Sequence, residues 1–484
     1  AGQTLIYGLG TIVPRILNYA ILTFYFTRLF SVEQFGVISE LYAYVTFLLI
    51  ILTYGTETGF FRFAVDNKKK IVFGSLLVAL FVTSTIFIAG ILFFRDTIAA
   101  ALQYPGNGEY IAMLGAIVGI DAFSTLLFAK LRREERSLKF AVLKILNVLI
   151  TIFFVLLFYE WLPVVIENRP IGLFIKLRTD ISLVLLSNLI ASALVLLLLI
   201  PEIIEEKIEF DAYTLKQILI YSFPLMVAGL AGTINEALDR ILLKHLIEDK
   251  NAAVYALGIY SANYRIAVLL YIFIQMFRYA AEPFYFNYYG KGEYKTVFSR
   301  IMRLFIAVAI VICMAMLFYI DYIKFFIASK FHEGLSIVPV VLLGYVCYGV
   351  FFNQSMWYKF SKRTGYAIVL TAIGATVTIF VNIIFVPFFS YVASAWAHVL
   401  SYATMIIFSF FIGRRYFPID YKLLRILEYL IVAIAIFAIK FILFNRNTIG
   451  CDIVSGIMIV CYALYVLKRE NILNSFRLIT WRLK

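Results

Sequence analysis

Fourteen continuous, mostly apolar stretches run along this chain, each long enough or nearly so to cross about 30 Å of hydrocarbon as an α-helix. Their cores lie at Thr4–Thr27, Gly36–Phe61, Ile71–Phe94, Tyr110–Ala129, Val142–Tyr159, Ile181–Ile200 and Ile218–Leu243. The second half continues with Val254–Ala280, Leu304–Ile320, Ile337–Tyr358, Ala367–Val386, Val392–Gly413, Ile426–Leu443 and Ile453–Leu467. A membrane β-barrel would show short alternating segments instead. The pattern predicts an all-α polytopic membrane protein.

The short connections between these spans alternate between base-rich and base-poor. Lys and Arg collect on the cytoplasmic side of such loops. The loops after even-numbered spans, together with the C-terminal tail, carry 28 of the 43 basic residues, and the opposite loops carry 10. The richest connection, Lys130 to Lys144, holds six. An even number of spans with both termini cytoplasmic accounts for the whole pattern, and deleting any interior span would invert every later loop. With 63% hydrophobic and 15% charged residues among 484, a soluble domain is excluded. The net charge of +14 follows from the loop asymmetry and suits anionic headgroups. It is scattered over six loops and a tail, which argues against nucleic acid as a partner.

No loop is long enough to form a domain; the longest outside one is Glu160–Asp180. The chain begins at Ala1 rather than Met, so residues are expected to precede it, and the first span is too long for a cleaved signal peptide. The tail Asn471–Lys484 places Ile472, Leu473, Phe476, Ile479 and Leu483 on one helical face, as expected of a helix lying in the cytoplasmic interface. Cys313, Cys347, Cys451 and Cys461 show no paired spacing, and His245, His332 and His398 form no metal motif.

Five basic residues belong to no loop: Arg15, Arg240, Arg265, Arg278 and Lys440. Lys440 can snorkel outward. Arg278 lies near Glu282, and Arg240 beside Glu236 and Asp239, which suits ion pairs at helix ends. Arg15 and Arg265 each lie roughly 16 Å into their spans, counted at 1.5 Å per residue. A charge there costs about 2.5 kcal/mol or more unless it meets water or a partner. Asp121 is the one acid read at comparable depth, so one arginine can pair with it while the other calls for a hydrated cavity and an anionic ligand. Asn18 and Tyr19 lie near Arg15, and Asn263 and Tyr264 adjoin Arg265, side chains suited to sugar contacts.

Pro14 and Pro224 sit at similar places, each following a Leu-Ile-Tyr triplet, and permit bends. Glu57 and Glu282 close the spans that follow. This faint repeat predicts two six-helix bundles around a central cavity, residues 1–201 and 202–413, with two further C-terminal helices in 414–484.

The runs Leu5–Gly10, Phe24–Gly36 and Tyr54–Phe63, with Ala281-Glu282-Pro283-Phe284, resemble bacterial polysaccharide flippases of the Wzx type. That family belongs with MATE drug exporters and lipid II flippases in the multidrug/oligosaccharidyl-lipid/polysaccharide (MOP) exporter superfamily. The resemblance implies alternating-access transport of a polyprenyl-diphosphate-linked oligosaccharide, such as an O-antigen or capsule repeat unit, from the inner to the outer leaflet of the bacterial inner membrane. It also implies cationic residues lining the cavity, which Arg15 and Arg265 match by span and depth. Glu57, Arg62, Arg278 and Glu282 are the candidates for an inner gate, and Arg28, Glu236, Asp239 and Arg240 for an outer one. No cofactor is implied; coupling to protons, sodium or membrane potential stays open, with Asp121 and Glu57 as coupling candidates. Lipid-linked oligosaccharide and membrane lipids are the expected partners, alongside polymerase or ligase machinery.

Three other readings compete: a multidrug exporter of the same fold, a lipid II flippase, and a membrane glycosyltransferase, polymerase or ligase. The first would want an acidic cavity, and the last a large outer loop or an acidic pair, where the first loop offers only Glu33. Enzyme chemistry is therefore not expected. The topology is checked with fusions: a reporter active only in the cytoplasm should work after Arg363 and fail after Lys330, and an exported reporter should behave oppositely.

Overall fold

The structure, a computed structural model, describes residues 2–64, 69–162, 180–443 and 448–471. Among these residues every regular element is helical, and fourteen helices are long and apolar enough to cross a membrane. They are α1 (Ile6–Leu29), α2 (Val32–Phe63), α3 (Lys69–Ala101), α4 (Gly108–Arg133), α5 (Ser137–Trp161), α6 (Ser182–Ile204) and α7 (Ala212–Leu246). Then follow α8 (Lys250–Tyr288), α9 (Tyr294–Phe318), α10 (Ser329–Phe360), α11 (Gly365–Phe389), α12 (Tyr391–Tyr416), α13 (Leu423–Leu443) and α14 (Ile449–Arg469). Each of the fourteen apolar stretches corresponds to one of them. The interfacial helix expected after Asn471 lies outside the described residues, as do Lys68, Arg169, Lys176, Arg178 and Arg446 of the loops.

Local chemistry explains several boundaries. Ser31 caps α2 reciprocally: its hydroxyl accepts from the Gln34 amide at 3.2 Å, and the Gln34 side chain accepts from the Ser31 amide at 3.0 Å. Asp211 caps α7, accepting from the Thr214 amide at 2.8 Å. Near its inner end α2 is interrupted at Tyr54 and Gly55, with φ of 51° and 67°. A side chain at Gly55 would bring its Cβ 3.0 Å from the Ser222 carbonyl, so the break lies where α7 passes closely. The two prolines behave differently. Pro14 withholds an N–H from the α1 ladder, and Asn18–Leu22 just beyond it winds as a π-helix. Pro224 is carried inside one unbroken α-helix.

The chain packs as two compact units, Ala1–Ser261 with Asn382–Tyr391, and Ala262–Val381 with Val392–Lys484. Residue 201, the boundary read from the sequence repeat, lies inside the first. Within that unit α2 and α8 approach so tightly that a Cβ on Gly36 would come 2.6 Å from the Val254 carbonyl, and one on Gly258 would collide with that of Val32. Small residues of this kind let helix backbones close in an apolar medium. Near the C-terminal end of α4, Lys130, 1% exposed, donates to the Glu202 carbonyl at 2.7 Å and lies within 4.0 Å of the Glu134, Glu202, Glu205 and Glu206 carboxylates. Arg136 and Lys139 also bind Glu202, and Lys69 binds Glu134 at 2.6 Å, so α3, α4, α5 and α6 are stitched together.

In the second unit α14 and α13 pack on α9. Buried Glu470, just past α14, takes two hydrogen bonds from Arg303 of α9, at 2.7 and 2.8 Å, and one from Tyr429 of α13 at 2.7 Å. Burial pushes its carboxyl up, but the Arg303 and Tyr429 hydrogen bonds outweigh that and hold it below the usual glutamate value near 4.5. A lowered folded pKa means stability that is present above the unfolded value and is lost as pH falls through the folded one. Thermal unfolding in detergent should therefore show Tm falling below pH 4.5, with a flatter acid limb in Glu470→Gln. Arg303→Ala, which leaves a buried carboxylate alone, should cost about 3–5 kcal/mol at neutral pH.

Candidate functional site

In the first unit, ionisable side chains of four helices, α1, α2, α4 and α5, gather in one region of the bundle. Arg15 of α1 is exposed and, among the described residues, makes no hydrogen bond or ion pair. Asn18, at the start of the π-helix, is exposed too, and Tyr19 is half-buried. The wider π turn therefore sets these polar side chains immediately beyond Arg15.

Lys144 belongs to the same group. Counted by sequence with the loop after the fourth span, it instead lies seven residues into α5, with its ammonium 3.9 Å from the centre of the Phe128 ring. The charges acting on it are, strongest first, Asp121, Glu57, Arg15 and Arg132. Asp121 of α4 faces Ser192 of α6 and Lys144. The expectation that an arginine pairs with Asp121 is thus corrected: the cation beside it is Lys144. The reading of Asp121 as the one deep acid is also corrected, because Glu40 lies about 12 Å into α2 and is fully buried.

The inner-gate candidates find partners other than one another. Glu57 pairs with Arg132 of α4, while Arg62 lies 4.6 Å over the Tyr221 ring. In the second unit Glu282 pairs with Lys359 of α10, and Arg278 sits 5.1 Å over Phe352. The sequence missed both bases because they come from a helix two spans further on. The two pairs are parallel: in each unit an acid near the C-terminal end of one span pairs with a base near the C-terminal end of the span two further on. Glu57 and Arg132 are each about 40% exposed, so the pair contributes roughly 0–1 kcal/mol to stability.

Asn263 is fully buried and donates to the Phe331 carbonyl at 2.8 Å. Tyr264, 3% exposed, packs edge-on against Tyr345 and His398, so His398 belongs to an aromatic packing cluster. Arg265 is half-buried in the second unit. Among the outer-gate candidates, Arg28 stacks on Phe24 at 3.5 Å, and Arg240 donates to the Glu236 carbonyl at 2.7 Å and lies 3.5 Å from Asp239. Asp239 in turn accepts from Tyr260. Among the described residues, one acidic trio gathers within ligand distance, Glu134, Glu202 and Glu205, and it is already threaded by Lys130 and Arg136.

Helix number, order and packing define a multi-pass membrane protein with the fold of MOP-superfamily transporters. The chain matches the lipid II flippase MurJ, in an inward closed conformation, with a TM-score of 0.68 at 16% identity over 96% of this chain and 99% of that one. It matches a MATE multidrug transporter of the MOP superfamily in its inward-facing form (TM-score 0.61, 15% identity, 85% and 94% of the chains) and in its outward-facing form (0.59, 14%, 85% and 93%). At these identities the likeness is one of fold. Comparison with curated proteins produced no match. The family model for polysaccharide biosynthesis proteins matches residues 2–286, and the chain belongs to that family.

An uncompensated guanidinium beside a lysine is a chemical basis for binding a diphosphate, since Arg forms bidentate bonds to phosphate and Lys supplies a point charge. Millimolar inorganic pyrophosphate should raise the melting temperature of the purified protein. The shift should shrink with added salt and disappear in Lys144→Met, while sodium chloride of equal ionic strength should not reproduce it.

Proposed function

We propose that this protein is a flippase that carries a polyprenyl-diphosphate-linked oligosaccharide repeat unit from the inner to the outer leaflet of the bacterial inner membrane by alternating access. Its termini would both lie in the cytoplasm, with polymerase or ligase machinery receiving the product outside. The observation that carries this reading is Arg15: an exposed guanidinium, without an ion-pair partner among the described residues, midway along a membrane-spanning helix, beside Lys144, in a chain of the polysaccharide biosynthesis family.

A glycan headgroup cannot enter hydrocarbon, because each unsatisfied polar group costs several kcal/mol. A hydrated wall removes that cost while the lipid tail stays in the bilayer. Arg15 and Lys144 hold the diphosphate on the first unit, and Arg265 is a further cation proposed to contact substrate. Asn18 and Tyr19 contact sugar. Asp121 and Glu57 partly neutralise Lys144 when no substrate is bound, so there the phosphates take the place of negative charge already present. At about 4 Å and an effective dielectric near 20, each such contact is worth about 4 kcal/mol before desolvation. Outward movement of the negative headgroup is helped by an inside-negative potential, about 2.3 kcal/mol per charge per 100 mV. Proton or sodium exchange at Asp121 or Glu57 would add to that drive.

A multidrug exporter binding organic cations fits this wall poorly, since its exposed mid-span charge is an arginine. Arg15→Ala and Arg265→Ala should each lower surface polysaccharide at least tenfold at unchanged protein level. The lipid-linked repeat unit should then accumulate on the cytoplasmic leaflet. Normal surface polymer in both variants would sink the proposal.

A further inference from the structure

Glu40 and Lys244 form a sealed ion pair on the outer half of the first unit. Lys244, 3% exposed near the outer end of α7, places its ammonium 3.0 Å from a Glu40 carboxylate oxygen and donates to the Leu102 carbonyl at 2.7 Å. Tyr104, in the connection between α3 and α4, donates its hydroxyl to the same Glu40 oxygen and lays its ring 3.4 Å below the ammonium. Burial, and then the Glu40 charge, push the Tyr104 phenol well above its usual value, so it stays a donor. The other carboxylate oxygen, Oε1, is buried, and Tyr44, one turn along α2, faces the same group.

This pair joins helices from different sequence repeats, the second span of the first and the first span of the second. It lies on the same α2 face as Gly36, where α2 and α8 close to backbone contact, and Ala43, which is 4% exposed. Neither charge is tolerable alone in that place. A small separation of α7 from α2 would strip both ions of their partner before water reached them, whereas a large one would hydrate both. Such a contact has two comfortable states, fully closed and fully open, and a penalty between them.

We propose that Glu40, Lys244 and Tyr104 form an ionic latch that holds the outer end of α2 against α7 and makes its opening all-or-none. The latch concerns gating and does not depend on which substrate is carried. Opening exposes the α2 face to the outer solution, where Glu40 and Lys244 each find water. Closure restores the pair and excludes water from the helix contact. Leu102 and Tyr104 bring the outer connection between α3 and α4 into the same event.

The test is labelling of Ala43→Cys by a membrane-impermeant maleimide added outside, in full-length protein lacking Cys313, Cys347, Cys451 and Cys461. With the latch intact, labelling should be slow. Glu40→Gln or Lys244→Gln should speed it at least tenfold, and Tyr104→Phe, which keeps the packing and loses one hydrogen bond, about threefold. The exchanged pair Glu40→Lys with Lys244→Glu should bring the rate back to within threefold of the starting value. Rates that stay at the starting value in Glu40→Gln and Tyr104→Phe, in protein that still elutes as a single species, would overturn the latch. So would an exchanged pair that labels as fast as the single variants. Should Glu40→Gln fail to fold, Tyr104→Phe and the exchanged pair decide. Labelling needs no glycan, so a failed export assay and a failed latch are told apart.

Discussion

An ion taken into hydrocarbon has to be paired, hydrated or moved to the edge, and this requirement organises both units of the protein. Lys130 with Glu202, Arg303 with Glu470, and Lys244 with Glu40 are each buried and each bridges helices far apart in sequence. Such pairs add little net stability over apolar packing, but losing one partner leaves a charge with nowhere to go. They therefore specify which helices meet and in what register. Arg15 obeys the same rule by its exception: it is exposed and unpaired, so its compensation has to come from water or from a ligand.

The helices supply the second constraint. A membrane span can be interrupted only where other groups or water take over the freed backbone. The π-helix after Pro14 and the left-handed break at Tyr54 and Gly55 both occur next to polar side chains, Asn18 in one and Glu57 in the other. Pro224 produces no comparable break. The sequence repeat relating Pro14 to Pro224 thus survives in position but not in local geometry. Its better expression is chemical, in the Glu57–Arg132 and Glu282–Lys359 pairs at equivalent helix ends.

Much of the candidate site could be read from residue order alone, and the failures share one cause. Arg15 stands out because every other base near it has a loop to belong to, and depth along a span is a one-dimensional quantity. Lys144 was hidden for the same reason: it follows five bases in one short stretch and counts as the sixth unless the helix is known to begin at Ser137. Glu40 escaped because it lies in an otherwise ordinary apolar run and its partner is about two hundred residues away. Nearness in sequence suggests Arg278 for Glu282, whereas the base that pairs with Glu282 is Lys359 of a neighbouring helix. Asn263 and Tyr264 adjoin a deep arginine, yet the helix turns their side chains into the packing of the second unit.

Hydropathy and loop charge determined the number of spans and, under the positive-inside rule, a topology, because both are summed along the chain and need no knowledge of neighbours. They also isolated Arg15 as a charge without a place. The tertiary structure decided which charges are compensated. A carboxylate is neutralised by whatever cation lies within a few ångströms, and the helix that supplies that cation is chosen by packing, at separations along the chain that no local pattern encodes.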